Sequence, residues 1–98
     1  MNKKTVHIFI TGKVQGVSYR WWFKNEGIKN NISGWVRNRT SNRVEAEICG
    51  DEISVDKMIE KCRIGPPLAS VEDVITETID SLTLVDKNIK DVKILETR

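Results

Sequence analysis

The stretch Gly12-Lys13-Val14-Gln15-Gly16-Val17-Ser18-Tyr19-Arg20 joins a predicted strand, Thr5–Thr11, to a predicted helix that begins near Val17. Two glycines four residues apart allow a tight turn in which successive backbone N–H groups point to one place. The helix start adds unpaired N–H donors and the positive end of the helix dipole. Arg20 adds a planar guanidinium group that matches phosphate oxygens. The segment predicts either a cradle for a small anion or an ordinary strand-to-helix turn with an exposed arginine.

Size and composition are those of a globular protein. The chain has 98 residues, of which 39% are hydrophobic and 31% charged, and its net charge is +2. We expect residues 1–98 to form a single domain, because a chain of this size can bury an adequate core. Proteins that bind nucleic acid or membrane surfaces usually concentrate positive charge, so we expect neither partner. No apolar run is long enough for a membrane span or a secretion signal, and we therefore expect a cytoplasmic protein. We also expect it to be a monomer.

The residues that usually hold metals or form disulfides are few. Cys49 and Cys62 are spaced neither as a disulfide framework nor as a metal site, and His7 is the only histidine. We therefore expect reduced cysteines, no bound metal and no cofactor.

The hydrophobic pattern predicts strand, helix, strand, strand, helix, strand and a short final strand. The expected bounds are Thr5–Thr11, Val17–Asn30, Ile32–Arg39, Arg43–Cys49, Ile53–Ile64, Ser70–Thr78 and Val92–Leu95, with a polar loop over Asp80–Lys90. Two strand–helix–strand units separated by a hairpin form the ferredoxin-like βαββαβ pattern. The expected class is thus α+β, an antiparallel sheet with both helices on one face and a short extra C-terminal strand.

Several local features are also predictable. Asn31 can take the left-handed position that ends the first helix, and Thr40-Ser41-Asn42 makes a short hairpin connection. A shift in the apolar alternation predicts a β-bulge near Glu72-Asp73. One apolar stripe of the second helix is expected to face the core and contains Val55, Met58, Ile59 and Cys62.

Large and charged side chains near the motif allow further expectations. Trp21, Trp22 and Phe23 are consecutive and cannot share one helix face, so at least one should be partly exposed. Trp22 and Trp35 are expected in the core or the wall of the site. The basic stretch of Arg37, Arg39 and Arg43 is expected to be solvated.

This fold occurs in RNA-binding modules, metal carriers and enzymes, so it does not define the function. An RNA-binding module would carry aromatic residues on strand three for base stacking. The stretch Arg43-Val44-Glu45-Ala46-Glu47-Ile48-Cys49 has two acidic residues and no aromatic one, which disfavours that class.

Two motifs together resemble those of the acylphosphatase family. Gly12–Arg20 is similar to the family's phosphate-binding signature G-x-V-Q-G-V-x-[FY]-R, and Gly34-Trp35-Val36-Arg37-Asn38 to its second signature G-[FYW]-[AV]-x-N. Gly65–Val71 resembles the family's junction between the second helix and the fourth strand. The resemblance covers nearly the whole chain. Its departures, such as Ser41-Asn42 where many relatives have Asp-Gly and Tyr19 where phenylalanine is more usual, do not touch Arg20 or Asn38.

The resemblance implies an enzyme that hydrolyses the carboxyl–phosphate bond of acyl phosphates to a carboxylate and inorganic phosphate, without a metal. It makes Arg20 and Asn38 catalytic. The phosphate-binding residues it implies are Gln15, Gly16, Val17, Ser18, Tyr19 and Arg20. Acylphosphatase-like domains also occur in hydrogenase-maturation proteins, so a phosphate-binding domain within a larger assembly is an alternative.

An arginine and an asparagine suffice for this reaction. A carboxylate leaving group, whose conjugate acid has a pKa of about 4, departs without protonation. A loose phosphoryl-transfer transition state requires positioning and charge stabilisation more than covalent help. The reacting group is shared by acetyl phosphate, carbamoyl phosphate and protein aspartyl phosphates, so the motifs define the substrate by that group alone.

Overall fold

The longest strand, β1 (Lys3–Lys13), lies inside the sheet because it pairs antiparallel with one strand on each side. The computed structural model describes residues 2–98. The elements that follow are α1 (Tyr19–Lys29), β2 (Ser33–Asn38), β3 (Val44–Asp51), α2 (Glu52–Ile64), β4 (Ser70–Ile79) and β5 (Val92–Ile94). The predicted order of elements is confirmed, and each bound lies within two residues of its expected position.

The five strands form one sheet in the order β4-β1-β3-β2-β5. All pairings are antiparallel except that of β2 with β5, which is parallel. Helix α1 packs on β2 and β5, and α2 packs on β1, β3 and β4. The structure therefore confirms the ferredoxin-like α+β class, and β5 is the extra C-terminal strand.

The core lies between the helices and one face of the sheet. Its members include alternate residues of β1 and β3: Val6, Ile8, Ile10, Val44, Ala46 and Ile48. The predicted stripe of α2 is confirmed, since all four of its residues are buried. Helix α1 buries Tyr19, Phe23 and Gly27, and the expected exposed aromatic residue is Trp21. No helix within residues 2–98 has the length and apolar character needed to cross a membrane.

Helix α1 starts two residues later than the predicted Val17. Ser18 has a φ of 63°, in the left-handed region, and this conformation cannot continue into a right-handed helix. At the other end, Asn31 takes the predicted left-handed conformation, with a φ of 58°. The N–H groups of Asn31 and Ile32 donate to the carbonyls of Ile28 and Gly27, which is the Schellman arrangement.

The predicted bulge in β4 is confirmed, and it explains the first glycine of the motif. Thr11 pairs with Asp73 but Gly12 pairs with Val71, so Glu72 is the extra residue. A Cβ atom on Gly12 would clash with the Ser70 carbonyl oxygen. Only glycine allows β1 to pass this close to the bulge and enter the following loop.

The residues around β5 cover the outer edge of β2. The N–H of Leu95 donates to the Val36 carbonyl at 2.9 Å, and that of Arg98 donates to the Asn38 carbonyl at 3.1 Å. The N–H of Thr40, at the start of the hairpin, donates to the Arg98 carbonyl at 3.1 Å. The end of β2 is therefore held from both sides.

Candidate active site

The loop after β1, the start of α1 and the end of β2 surround a cavity of about 500 Å³. The residues that line it are Val14, Gln15, Gly16, Ser18, Tyr19, Arg20, Trp21, Asn38 and Ile94. Arg20 and Asn38, which come from the two separate motifs, thus meet in one cavity. Val17 does not line it, because its side chain is buried in the core.

The loop at this cavity offers a run of unused backbone donors. Gly16 and Ser18 have φ values of 72° and 63°, and Val17 between them has a negative φ. Alternation of this kind curves the chain and turns successive N–H groups towards the concave side. Within residues 2–98, no hydrogen bond uses the backbone N–H of any residue from Gln15 to Trp21. Ser18 is the N-cap of α1, and its side chain makes no capping hydrogen bond.

Arg20 brings a positive charge that nothing else in the cavity neutralises. It is the second residue of α1, where a cation is disfavoured by the positive end of the helix dipole. No ion pair among residues 2–98 includes Arg20, and the cavity lining contains no carboxylate. The guanidinium group and the loop N–H groups are therefore of the type that binds anions at a helix start, and none of them is engaged by another group among residues 2–98.

Asn38 has an unsatisfied side-chain oxygen. Its Oδ1 atom is buried and has no hydrogen-bond partner within residues 2–98. Buried polar atoms of side chains are rarely left without a partner, and exceptions often lie at functional sites. The Asn38 side chain, which lines the cavity, thus has hydrogen-bonding capacity that no other group among residues 2–98 uses.

Gln15 connects the loop to the β2–β3 hairpin beside Asn38. Its Nε2 donates to the Arg39 carbonyl at 2.8 Å and to the Arg43 carbonyl at 3.0 Å. Sequence reasoning expected the backbone N–H of Gln15 to bind phosphate, and the hairpin engages only its side-chain amide nitrogen. Its backbone N–H remains available to an anion.

Comparison with known proteins assigns the chain to a family. The family model described as Acylphosphatase matches residues 6–89. The chain is 42% identical to an acylphosphatase from Pyrobaculum aerophilum over 98 residues, which are 99% of both chains. The chain belongs to the acylphosphatase family.

Solved structures agree with this assignment. An acylphosphatase from Coxiella burnetii superposes with a TM-score of 0.85 at 31% identity, covering 96% of this chain and 94% of that one. The acylphosphatase from Bacillus subtilis gives a TM-score of 0.83 at 27% identity, with 94% and 98% coverage. The reaction is therefore the hydrolysis of acyl phosphates, as the two sequence motifs predicted.

In this acylphosphatase, Tyr19 anchors the start of α1 rather than facing the substrate with its hydroxyl group. The Tyr19 hydroxyl donates to the Cys62 carbonyl at 2.7 Å, and the side chain is buried. Burial raises the pKa of Tyr19 above its usual value, and it raises the pKa of the Cys62 thiol to about 12. Both Cys62 and Cys49 are free cysteines. Neither the phenol nor the Cys62 thiol is poised for proton transfer near neutral pH.

The face of the sheet opposite the helices carries a polar network that sequence reasoning did not predict. Glu45 is only 7% exposed, and its carboxylate lies 2.9 Å from Arg37 Nε, 3.2 Å from Arg39 Nη1 and 2.6 Å from His7 Nε2. Burial alone would raise the pKa of Glu45, but the hydrogen bonds and charges of His7 and Arg37 outweigh it and lower the pKa.

The expectation of a solvated basic stretch is therefore wrong. Arg37 and Arg39 are paired with Glu45, and the guanidinium of Arg43 lies 4.2 Å from the ring centre of Phe9. These arginines and Glu45 alternate along paired strands, which places them on one face of the sheet. That register, Arg37 opposite Glu45, is the signal by which the pairing could have been found.

Glu47, on the same face of the sheet, is also covered by hydrogen-bonded neighbours. Its carboxylate accepts hydrogen bonds from Trp35 Nε1 at 3.0 Å and from the N–H and hydroxyl of Thr83, in the loop over Asp80–Lys90. Trp35 is buried on this face, away from the cavity with Arg20. Of the other aromatic side chains on this face, Phe9 is partly exposed and is covered by the Arg43 guanidinium group.

Two other clefts, of about 600 and 910 Å³, lie at the opposite end of the sheet, near Lys3 and Cys49. The lining of these two clefts includes no residue of Gly12–Arg20 or of Gly34–Asn38. Within residues 2–98, no group of three or more metal-ligating side chains is arranged to hold an ion.

Proposed function

We propose that Arg20 and the backbone N–H groups from Gln15 to Arg20 bind the phosphoryl group, and that Asn38 orients the water that attacks it. One observation carries this proposal: an unpaired cation, a run of unused N–H donors and an unpartnered amide oxygen meet in one cavity. Preorganised donors of this kind stabilise charge without rearrangement during the reaction.

The chemistry follows from these groups. The water oxygen, held by the Asn38 amide, attacks phosphorus in line with the acyl oxygen. The bond between phosphorus and that oxygen breaks, and its electron pair leaves with the carboxylate. A phosphoryl oxygen accepts a proton from the attacking water, so the products are the carboxylate and inorganic phosphate. Arg20 and the N–H groups hold the equatorial oxygens throughout, which is the main demand of a loose transition state.

Kinetics of two variants test the roles. Arg20→Ala should weaken inhibition by inorganic phosphate and lower kcat/KM, because a charge-assisted hydrogen bond contributes about 1.5–3 kcal/mol. Arg20→Lys should restore only part of the activity, since lysine lacks the planar fork. Asn38→Ala should lower kcat by about 10²–10³ while phosphate still binds.

Two exposed residues outside the cavity serve as matched controls. Arg63→Ala and Asn25→Ala remove the same side-chain types from helix surfaces and should keep normal kinetics. A normal kcat in Asn38→Ala, or unchanged phosphate inhibition in Arg20→Ala, would refute the corresponding role.

We also propose that the enzyme needs no metal ion. The cavity supplies one cation and neutral donors, and its lining has no carboxylate, histidine or cysteine. Turnover of benzoyl phosphate should survive dialysis against EDTA. Loss of activity that a divalent ion restores would contradict this. With no acid to protonate an alkoxide, glycerol phosphate should be hydrolysed far more slowly than benzoyl phosphate.

We further propose that residues 1–98 act as one domain, as a cytoplasmic monomer that binds no nucleic acid. The net charge of +2 and the pairing of Arg37 and Arg39 with Glu45, which leaves these two cations less available to phosphates, support the last of these expectations. Light scattering should give a mass near 11.2 kDa, and electrophoresis with RNA should show no retarded complex.

A further inference from the structure

Trp21 is the one large aromatic side chain of α1 that stays out of the core. It is 62% exposed, whereas Phe23 is fully buried and Trp22 packs partly against the core. Trp21 directly follows Arg20 and lines the same cavity. A solitary exposed tryptophan needs no explanation, but one in the wall of a catalytic cavity offers apolar contact area to the substrate.

Ile94 brings a second apolar side chain to the cavity from another part of the chain. It pairs with Val36 in the parallel β2–β5 ladder, two residues before Asn38. Because alternate residues of a strand face the same way, Ile94, Val36 and Asn38 lie on one face of the sheet. Ile94 is 40% exposed and lines the cavity with Asn38.

The size and charge of the cavity leave room for more than a phosphoryl group. At about 30 Å³ per non-hydrogen atom, the volume share of a water molecule, a five-atom phosphate group fills on the order of 150 Å³. The cavity measures about 500 Å³. Its only charged lining residue is Arg20, so the space beyond the phosphoryl group offers no second cation to an acyl chain.

We propose that Trp21 and Ile94 form a subsite for the acyl group, which makes the enzyme prefer acyl phosphates with an aromatic or branched apolar acyl group over acetyl phosphate. This rests on the proposed binding of the phosphoryl group at Arg20. With that group held there, the acyl carbon and its substituent extend into the rest of the cavity. An aromatic acyl group there loses water-exposed surface against the indole ring and the Ile94 side chain.

The test compares kcat/KM for benzoyl phosphate and acetyl phosphate in wild type and variants. Trp21→Ala should lower the value for benzoyl phosphate about tenfold, and that for acetyl phosphate less than twofold. Ile94→Ala should shift the ratio about threefold in the same direction. Trp21→Phe should keep most of the preference. Ile28→Ala removes another exposed apolar residue, 47% exposed and outside the cavity, and should leave the ratio unchanged.

Inhibition by phosphonates gives a readout that does not depend on turnover. Phenylphosphonate should inhibit Trp21→Ala about tenfold more weakly than wild type, whereas methylphosphonate and inorganic phosphate should inhibit both equally. An unchanged benzoyl-to-acetyl ratio in Trp21→Ala would overturn the subsite. An equal loss for both substrates would do the same. Failure of the phosphate site would instead appear as normal phosphate inhibition in Arg20→Ala, so the two failures are distinguishable.

Discussion

Arg37 and Asn38 are neighbours on β2, but their side chains lie on opposite faces of the sheet. Among the described residues, one has a bonding partner and the other has none. Arg37 is paired with Glu45 in a network where each charged group has a partner. Within residues 2–98, Asn38 has a buried oxygen with no partner, and Arg20, which lines the same cavity, has no ion pair. The paired face stabilises the fold, whereas the unpaired cavity keeps its binding capacity for a ligand. Mutations on the paired face should therefore lower the free energy of unfolding, and mutations in the cavity should lower catalytic activity.

The largest effect on stability is expected from Glu45→Ala. The variant leaves Arg37 and His7 without their partner on a mostly buried face, and removing one member of such a set destabilises by about 3 kcal/mol. Urea denaturation should show this loss, while phosphate inhibition of the folded enzyme stays normal. Glu96→Ala, whose side chain is 83% exposed beside Arg98, is the control and should change the free energy of unfolding by less than about 0.5 kcal/mol. A loss for Glu45→Ala no larger than for the control would mean that the paired network contributes nothing.

A smaller effect is expected from acid. The pKa of Glu45 is lower in the folded protein than its ordinary value of 4.5, so its stabilisation is complete above that value and is lost as the pH falls through the folded pKa. The groups that face Glu45 are His7, Arg37 and Arg39. Unfolding free energies measured between pH 6 and pH 3 should fall more steeply for wild type than for Glu45→Gln. If the free energies of unfolding of the two proteins fall in parallel, Glu45 does not contribute to the loss of stability in acid.

Gln15 connects the two regions, and its loss should affect both modestly. Gln15→Ala removes two hydrogen bonds to hairpin carbonyls, so we expect a loss of about 1–2 kcal/mol of stability and about a tenfold lower kcat. Phosphate inhibition should change little, because the backbone N–H is retained. Gln15→Glu should be worse than Gln15→Ala in both measurements, since a carboxylate would face two carbonyl oxygens. The opposite order would show that the amide does not hold the hairpin.

The smallest change in stability is expected from the cavity itself. Arg20→Ala and Asn38→Ala remove side chains that have no charged or hydrogen-bonded partner within residues 2–98, so the free energy of unfolding should stay within about 0.5 kcal/mol of wild type. Thermal melts without phosphate measure this directly. If Asn38→Ala unfolds readily, its loss of activity cannot be assigned to water positioning.

Local patterns made most of the fold predictable. The bulge at Glu72, the left-handed Asn31 and the buried stripe of α2 each depend on a few neighbouring residues, and all were expected. The start of α1 was predicted two residues too early because nothing in the local sequence indicates that Ser18 adopts a left-handed conformation. A left-handed serine costs free energy that surrounding structure must offset, and sequence pattern does not show this compensation.

Contacts between distant segments were harder to predict. The alternation of Glu45 and Glu47 along β3 is typical of a solvent-facing side, but Arg37 pairs with Glu45 and Thr83 covers Glu47. The motifs indicated that Arg20 and Asn38 act together, and the structure places both in one cavity. The place of Ile94 in that cavity depends on the pairing of β5 with β2, which no local pattern encodes.

The coverage of β2 by residues 92–98 also bears on the order of events during synthesis. A nascent chain that ends before these residues exposes the bare edge of β2, with unpaired N–H and C=O groups that can recruit strands from other molecules. The carbonyl of Asn38 receives its partner, the N–H of Arg98, only when that segment has left the ribosome. The edge that carries Asn38 is thus covered only after β5 and the residues beyond it have been synthesised, and the same segment brings Ile94 to the wall of the cavity.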